Sequence, residues 1–179
     1  MTHLKPAVNS NDHIDGNINA AIELVEYGDY ECPYCGRAYP IVKNIQQVLG
    51  ADLKFVFRNF PLSKIHPHAF AAAVATEAAA LQNRFWQMHD IIFENQRNLN
   101  TESIFRFAEE LELDMQQFKR DIQRKELLDK VQGDFESGMR SGVNRTPSFF
   151  INGEKYEDSW DEKDFLEYLQ GLLAQIAIS

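Results

Sequence analysis

Cysteine is scarce in this chain of 179 residues: there are two, and they stand three positions apart as Cys32 and Cys35. Two cysteines cannot make the disulfide framework of a small secreted scaffold, and a chain this long has no need of one. Long apolar runs are also missing. The most apolar stretch, Ala69 to Leu81, is interrupted by Thr76 and Glu77. That falls short of the roughly 18 residues of a membrane span, and the stretch reads as a buried helix. Positive charge is in deficit. Eighteen Lys and Arg face 27 Asp and Glu, a net charge of −9, with no basic run. Nucleic acid and anionic membranes are therefore poor partners. The opening residues, 1 to 19, are polar and lack an apolar signal core, so a cytoplasmic protein with a flexible N-terminal arm is expected.

What is present alternates in period. Ala21 to Tyr27 is a compact strand candidate. Gly28-Asp29-Tyr30-Glu31-Cys32-Pro33-Tyr34-Cys35 follows it directly. A helical pattern then carries Ala38, Ile41, Val42, Ile45, Val48 and Leu49, and Gly50 stops it. Leu53 to Phe60 is a second strand, closed by Pro61. Strand, helix, strand at this spacing implies two parallel strands joined by a right-handed crossover. From His66 to about Ser141 the pattern is helical. Pro67 suits a first helical turn, Thr101 is a candidate cap, Asp114 begins a further stretch, and a break is expected near Lys125. Strand signals return at Pro147 to Ile151. Asn152-Gly153 is a hairpin turn, Glu154 to Tyr156 the returning strand, and Asp161 opens a last helix. The expected units are thus an arm over 1–19, an α/β domain from 20–62 and 142–179, and an inserted helical block over 63–141.

The position of the cysteines carries the chemistry. A cysteine at a helix N-cap faces unpaired N–H groups and the positive end of the helix dipole. Both stabilise the thiolate and lower its pKa. Pro33 fits the first turn, where its missing N–H costs nothing. Cys35 lies one turn on, close enough to close a disulfide or to resolve a mixed one. Two alternatives are weaker. A zinc site would need two further ligands from His66, His68 and His89, and an inert buried pair would have no chemistry at all. Glu26 sits on the strand among apolar neighbours. A buried carboxyl there has a raised pKa and can take a proton near neutrality.

Together the CxxC after the first long strand, the helical insertion after the next strand and Thr146-Pro147 before the hairpin resemble the DsbA-like branch of the thioredoxin superfamily, over about residues 15 to 175. The resemblance implies a thioredoxin fold, with a central mixed four-stranded sheet flanked by helices and an inserted helical subdomain. It implies Cys32 as the exposed nucleophile and Cys35 as the buried resolving thiol. Glu26 becomes the proton acceptor. Thr146 and Pro147, joined by a cis peptide bond, become a substrate-binding loop, with Pro33 and Tyr34 beside it. The implied activity is disulfide exchange with protein or peptide thiols, with no cofactor and no metal, and with glutathione or another redox partner. The Pro-Tyr dipeptide lacks the histidine of the well-known oxidant of this branch. Asp29 and Glu31 add negative charge near Cys32. Both features predict a less oxidising protein and leave the direction of flow open. A glutathione-linked transferase or isomerase on the same fold, or a metal- or peptide-binding module, are the competing functions. Phe85 and Trp86 read as core, and the adjacent Glu109 and Glu110 as a solvated helix face.

Overall fold

The computed structural model describes residues 2–178. Five strands form one mixed sheet in the order β1-β3-β2-β4-β5. They are β1 (His13–Gly16), β2 (Ile22–Gly28), β3 (Leu53–Asn59), β4 (Ser148–Ile151) and β5 (Glu154–Tyr156). β2 and β3 pair in parallel, with Ile22 opposite Leu53 and Gly28 opposite Asn59. β1 runs antiparallel to β3, and β4 antiparallel to β2. The helix α1 (Pro33–Leu49) joins β2 to β3 and runs unbroken through Pro40. Five helices fill the gap between β3 and β4. These are α2 (Ala69–Ala80), α3 (Phe85–Glu94), α4 (Thr101–Glu110), α5 (Met115–Asp121) and α6 (Lys125–Arg140). The chain ends in α7 (Glu162–Ile178).

Alternation along the strands sends side chains to two faces, and both are buried. Ile22, Leu24, Phe55, Phe57, Phe149 and Ile151 join the large core with α1, the helical block and α7. Val25, Tyr27, Val56, Phe60 and Phe150 form a smaller core on the other face. Near-continuous apolar strands such as Phe-Val-Phe in β3 read this way because neither face meets water.

The smaller core corrects two expectations. The sheet has five strands, not four, and the segment before residue 20 is not a free arm. Leu4 is buried in the second core and Val8 packs on it. The Leu4 N–H donates to the Gly153 carbonyl at 2.8 Å. His13 Nε2 meets Glu77 Oε2 at 2.8 Å, and the buried Arg58 grips Asp12 with Nε and Nη2 at 2.7 and 2.8 Å. All of these contacts join residues far apart in sequence, so a short polar segment without its own periodicity carried no sign of them. Met1 lies outside the described residues.

Two helix starts differ in detail. Asn100, not Thr101, caps α4, in a reciprocal pair with Ser103. Asn accepts at this position better than Thr. The helix after Pro67 begins only at Ala69. The stretch expected to begin at Asp114 does so as α5, with Asp114 its cap accepting from the Gln117 N–H at 2.9 Å, and the break falls between Asp121 and Lys125. Asn152 and Gly153 have φ of 49° and 82°, which is the positive φ their hairpin turn demands.

Candidate active site

β2 ends where α1 begins, and the site is built on that junction. Residues 22, 24, 26 and 28 share the face toward the large core, so Glu26 points inward beneath α1. Gly28 is needed there: a Cβ would lie 2.4 Å from the Phe57 ring and 3.1 Å from Glu26 Oε1. The chain then turns, the Cys32 N–H donating to the Asp29 carbonyl at 3.1 Å. Cys32 is the N-cap of α1 with an extended backbone, and Pro33 is the first helical residue.

Both cysteines are free thiols with unlike surroundings. Cys32 is 4% exposed, not the open thiol that was expected, and Cys35 is fully buried, whereas Tyr34 between them is 59% exposed. The Cys32 thiol is pulled down to about 5. Hydrogen bonding from Cys35 lowers it most, burial opposes, and contact with Thr146 and the N–H groups of Cys35 and Tyr34 lower it further. Burial pushes the Cys35 thiol well above its ordinary value, and the neighbouring Cys32 and Glu26 charges add to that. Glu26 is driven up to about 8, first by burial and then by the Cys32 charge. Its Oε1 has no hydrogen-bond partner among the described residues. A neutral carboxyl, a buried thiol and a stabilised thiolate thus sit together.

Across from them lies the loop before β4. The Thr146–Pro147 peptide bond is cis, and the Thr146 carbonyl is 3.5 Å from Cys32 Sγ. Thr146 is 7% exposed, and its Oγ1 is buried without a partner. Glu26, Cys32, Pro33, Tyr34, Cys35, Thr146 and Pro147 therefore fall in one neighbourhood, contributed by three separate segments.

The expectation that Asp29 and Glu31 raise the Cys32 pKa fails, because both carboxylates are engaged elsewhere. Asp29 accepts from the Glu31 N–H (2.7 Å), the Leu62 N–H (2.9 Å) and His66 Nδ1 (2.7 Å). Glu31 accepts from the His68 N–H at 2.7 Å. The Asp29 N–H in turn donates to Cys35 Sγ at 3.4 Å. Two positioning residues escaped sequence reasoning. His66 anchors Asp29 from 37 residues away. Gln96 donates its side-chain amide to the carbonyls of Tyr30 (2.9 Å) and Cys32 (2.8 Å), and leaves no room for a Cβ on Gly36. Neither has a local signal; only the fold brings them to the turn. Phe85 and Trp86 hold the N-terminal segment instead of the site: Phe85 stacks on His13, and Trp86 Nε1 donates to the Ile14 carbonyl. His66, His68 and His89 do not converge on the cysteines, and among the described residues no three His, Cys, Asp or Glu side chains are grouped as metal ligands.

A CxxC at the mouth of the crossover helix, faced by a cis-proline loop on a mixed sheet, defines a protein of the thioredoxin-fold class. The chain belongs to the thioredoxin family, whose sequence pattern matches residues 8–171. Among solved structures it is similar to α-DsbA1 of Wolbachia pipientis (TM-score 0.83, 20% identity, 97% of this chain and 96% of that one). BdbD of Bacillus subtilis is also similar (0.80, 22%, 92% and 94%), as is a thioredoxin-like oxidoreductase of Silicibacter pomeroyi (0.79, 24%, 96% and 95%). At these identities the likeness is one of fold. Curated relatives include proteins named Na(+)/H(+) antiporter NhaA 1. The one from Mycobacterium sp. strain KMS is 37% identical over 172 residues, which is 95% of this chain and 28% of that protein. The one from Mycolicibacterium vanbaalenii is 38% identical over 169 residues, 93% and 27%. The chain spans little more than a quarter of these relatives, and none of its described helices is long and apolar enough to cross a membrane.

Proposed function

We propose that the protein is a thiol–disulfide oxidoreductase that exchanges disulfides with protein or peptide thiols through Cys32 and Cys35. The observation that carries this is the opposed pair of thiols: Cys32 lowered to about 5 at the helix N-cap, Cys35 held protonated behind it. At neutral pH the first is a thiolate and attacks a substrate disulfide. One substrate sulfur bonds to Cys32 Sγ and the other leaves as a thiolate with the electron pair. The charge on Cys32 is then consumed. That charge is the second cause of the raised Glu26 pKa, so Glu26 ionises more readily at the step when Cys35 must lose its proton. Cys35 attacks Cys32 Sγ and releases the second substrate thiol. The same steps in reverse oxidise a dithiol. The Thr146 carbonyl, 3.5 Å from Cys32 Sγ, suits pairing with an extended substrate backbone once Cys32 is engaged. The antiporter name belongs to proteins of which this chain is a minor share, and ion transport forms no part of the proposal.

The test is the equilibrium of Cys32 and Cys35 against a glutathione redox buffer, read by thiol alkylation. Cys35→Ser should trap a mixed disulfide on Cys32, and Cys32→Ser should trap none. A pair that forms no disulfide in any buffer would overturn the assignment.

A further inference from the structure

Residue 29 touches both cysteines through its backbone. Its carbonyl accepts from the Cys32 N–H at 3.1 Å, and its N–H donates to Cys35 Sγ at 3.4 Å. The Asp29 side chain sets where that N–H points. It is buried, at 1% exposure, and a buried carboxylate is held where donors meet it. Among the described residues it has three: the N–H groups of Glu31 and Leu62 at 2.7 and 2.9 Å, and His66 Nδ1 at 2.7 Å. The first lies within the turn itself. The other two come from the loop that follows β3, so this loop pins the turn against the sheet. His66 supplies the side-chain donor of the three.

The contact with Cys35 bears on the step at which that buried thiol must ionise. Burial, the Cys32 charge and Glu26 all oppose its thiolate, whereas the Asp29 N–H favours it. A hydrogen bond to a charged group is stronger than the same bond to a neutral one, so this contact strengthens as Cys35 loses its proton. We infer that Asp29, locked by His66, is a positioning residue for the second half of the exchange: it aims a backbone N–H at Cys35 Sγ and stabilises the thiolate that resolves the mixed disulfide. The inference rests on the disulfide-exchange function proposed above and deepens it. In the resolving step the Cys35 proton passes to Glu26 and the Cys35 sulfur bonds to Cys32 Sγ. The bond from Cys32 to the substrate sulfur breaks, and the substrate leaves as a thiolate with the electron pair. The Asp29 N–H gives up no proton.

The chromogenic disulfide dithiobis(nitrobenzoate) reads the two halves separately. It releases one coloured thiolate when Cys32 attacks and a second when Cys35 attacks Cys32. Stopped-flow absorbance at about pH 6, where Cys32 is ionised and Cys35 is not, separates the two phases. His66→Leu should slow the second phase about tenfold, the scale of one hydrogen bond to a charged group, and leave the first within about twofold. The pH profile of its second phase should move up by about one unit. His66→Asn, whose amide N–H can stand where Nδ1–H does, should restore most of the rate. Asp29→Asn, with one acceptor oxygen for three donors, should behave as His66→Leu does, and carries the test if that variant does not fold. His13→Leu removes another histidine–carboxylate contact, the one with Glu77, and controls for lost stability; both of its phases should match wild type. Equal slowing of both phases, an unmoved pH profile, or a His66→Asn as slow as His66→Leu overturns the inference. If wild type itself releases only the first thiolate, it is the exchange function that is wrong.

Discussion

Replacing Glu26 by leucine should stabilise the protein, and by more as pH rises. The buried carboxyl has a pKa of about 8 against an ordinary value of 4.5. Between those values the folded state keeps a proton that the unfolded state has released. Stability therefore falls as pH rises through this window. At pH 7 the loss is 2.5 of the 3.5 units, or about 3 kcal/mol; by pH 9 it reaches about 5 kcal/mol. Leucine has no charge to bury and no orphaned Oε1. The difference between variant and wild type should thus grow by about 3 kcal/mol from pH 4 to pH 7. Urea unfolding of the two reduced proteins across this range measures it. The same variant should resolve mixed disulfides at least about tenfold more slowly, having lost the proposed proton acceptor for Cys35. A stability difference that stays flat from pH 5 to pH 8 would show that Glu26 ionises like a solvated carboxylate and would refute the reasoning.

Three further outcomes are expected. The Cys32 thiolate, followed by ultraviolet absorbance or by pH-dependent alkylation, should titrate near pH 5, and its stabilisation should place the potential at most about 50 mV above the roughly −270 mV of a thioredoxin whose thiol titrates near 7. Solvent screening at the mouth of the site makes the effect smaller. Gly28→Ala should destabilise by about 1–3 kcal/mol in denaturant unfolding, because its Cβ would sit 2.4 Å from the Phe57 ring. Asp12→Ala should cost about 3 kcal/mol and loosen the N-terminal segment to proteolysis, because Arg58 is buried and loses its carboxylate partner.

The line between what was readable in the chain and what was not follows the range of the forces involved. The CxxC, the strand before it, the helix with Gly50 at its end and the Asn152-Gly153 hairpin are local. Each depends on dihedral preference, capping or side-chain period within a few residues, and the amino acids themselves state it. The inward face of Glu26 was readable too, since alternation along β2 places it with Ile22 and Leu24. By contrast, β1 was missed because a four-residue edge strand has no period of its own, and only β3 beside it makes it one. The second core was missed for a similar reason. Leu4 and Val8 look like stray apolar residues in a polar arm until the far face of the sheet needs covering. The weight of the acidic residues' effect was misread. Asp29 and Glu31 lie next to Cys32 in sequence, yet His66, His68 and Leu62 take up their oxygens. Sequence alone placed the proposed reactive residues on their local frame, Cys32 and Cys35 at the start of α1 and Glu26 on β2. Tertiary structure decided the protonation of Glu26 and Cys35, because burial sets the energy of their charges, whereas the Cys32 thiolate owes most to Cys35 and the helix N–H groups next to it in the chain.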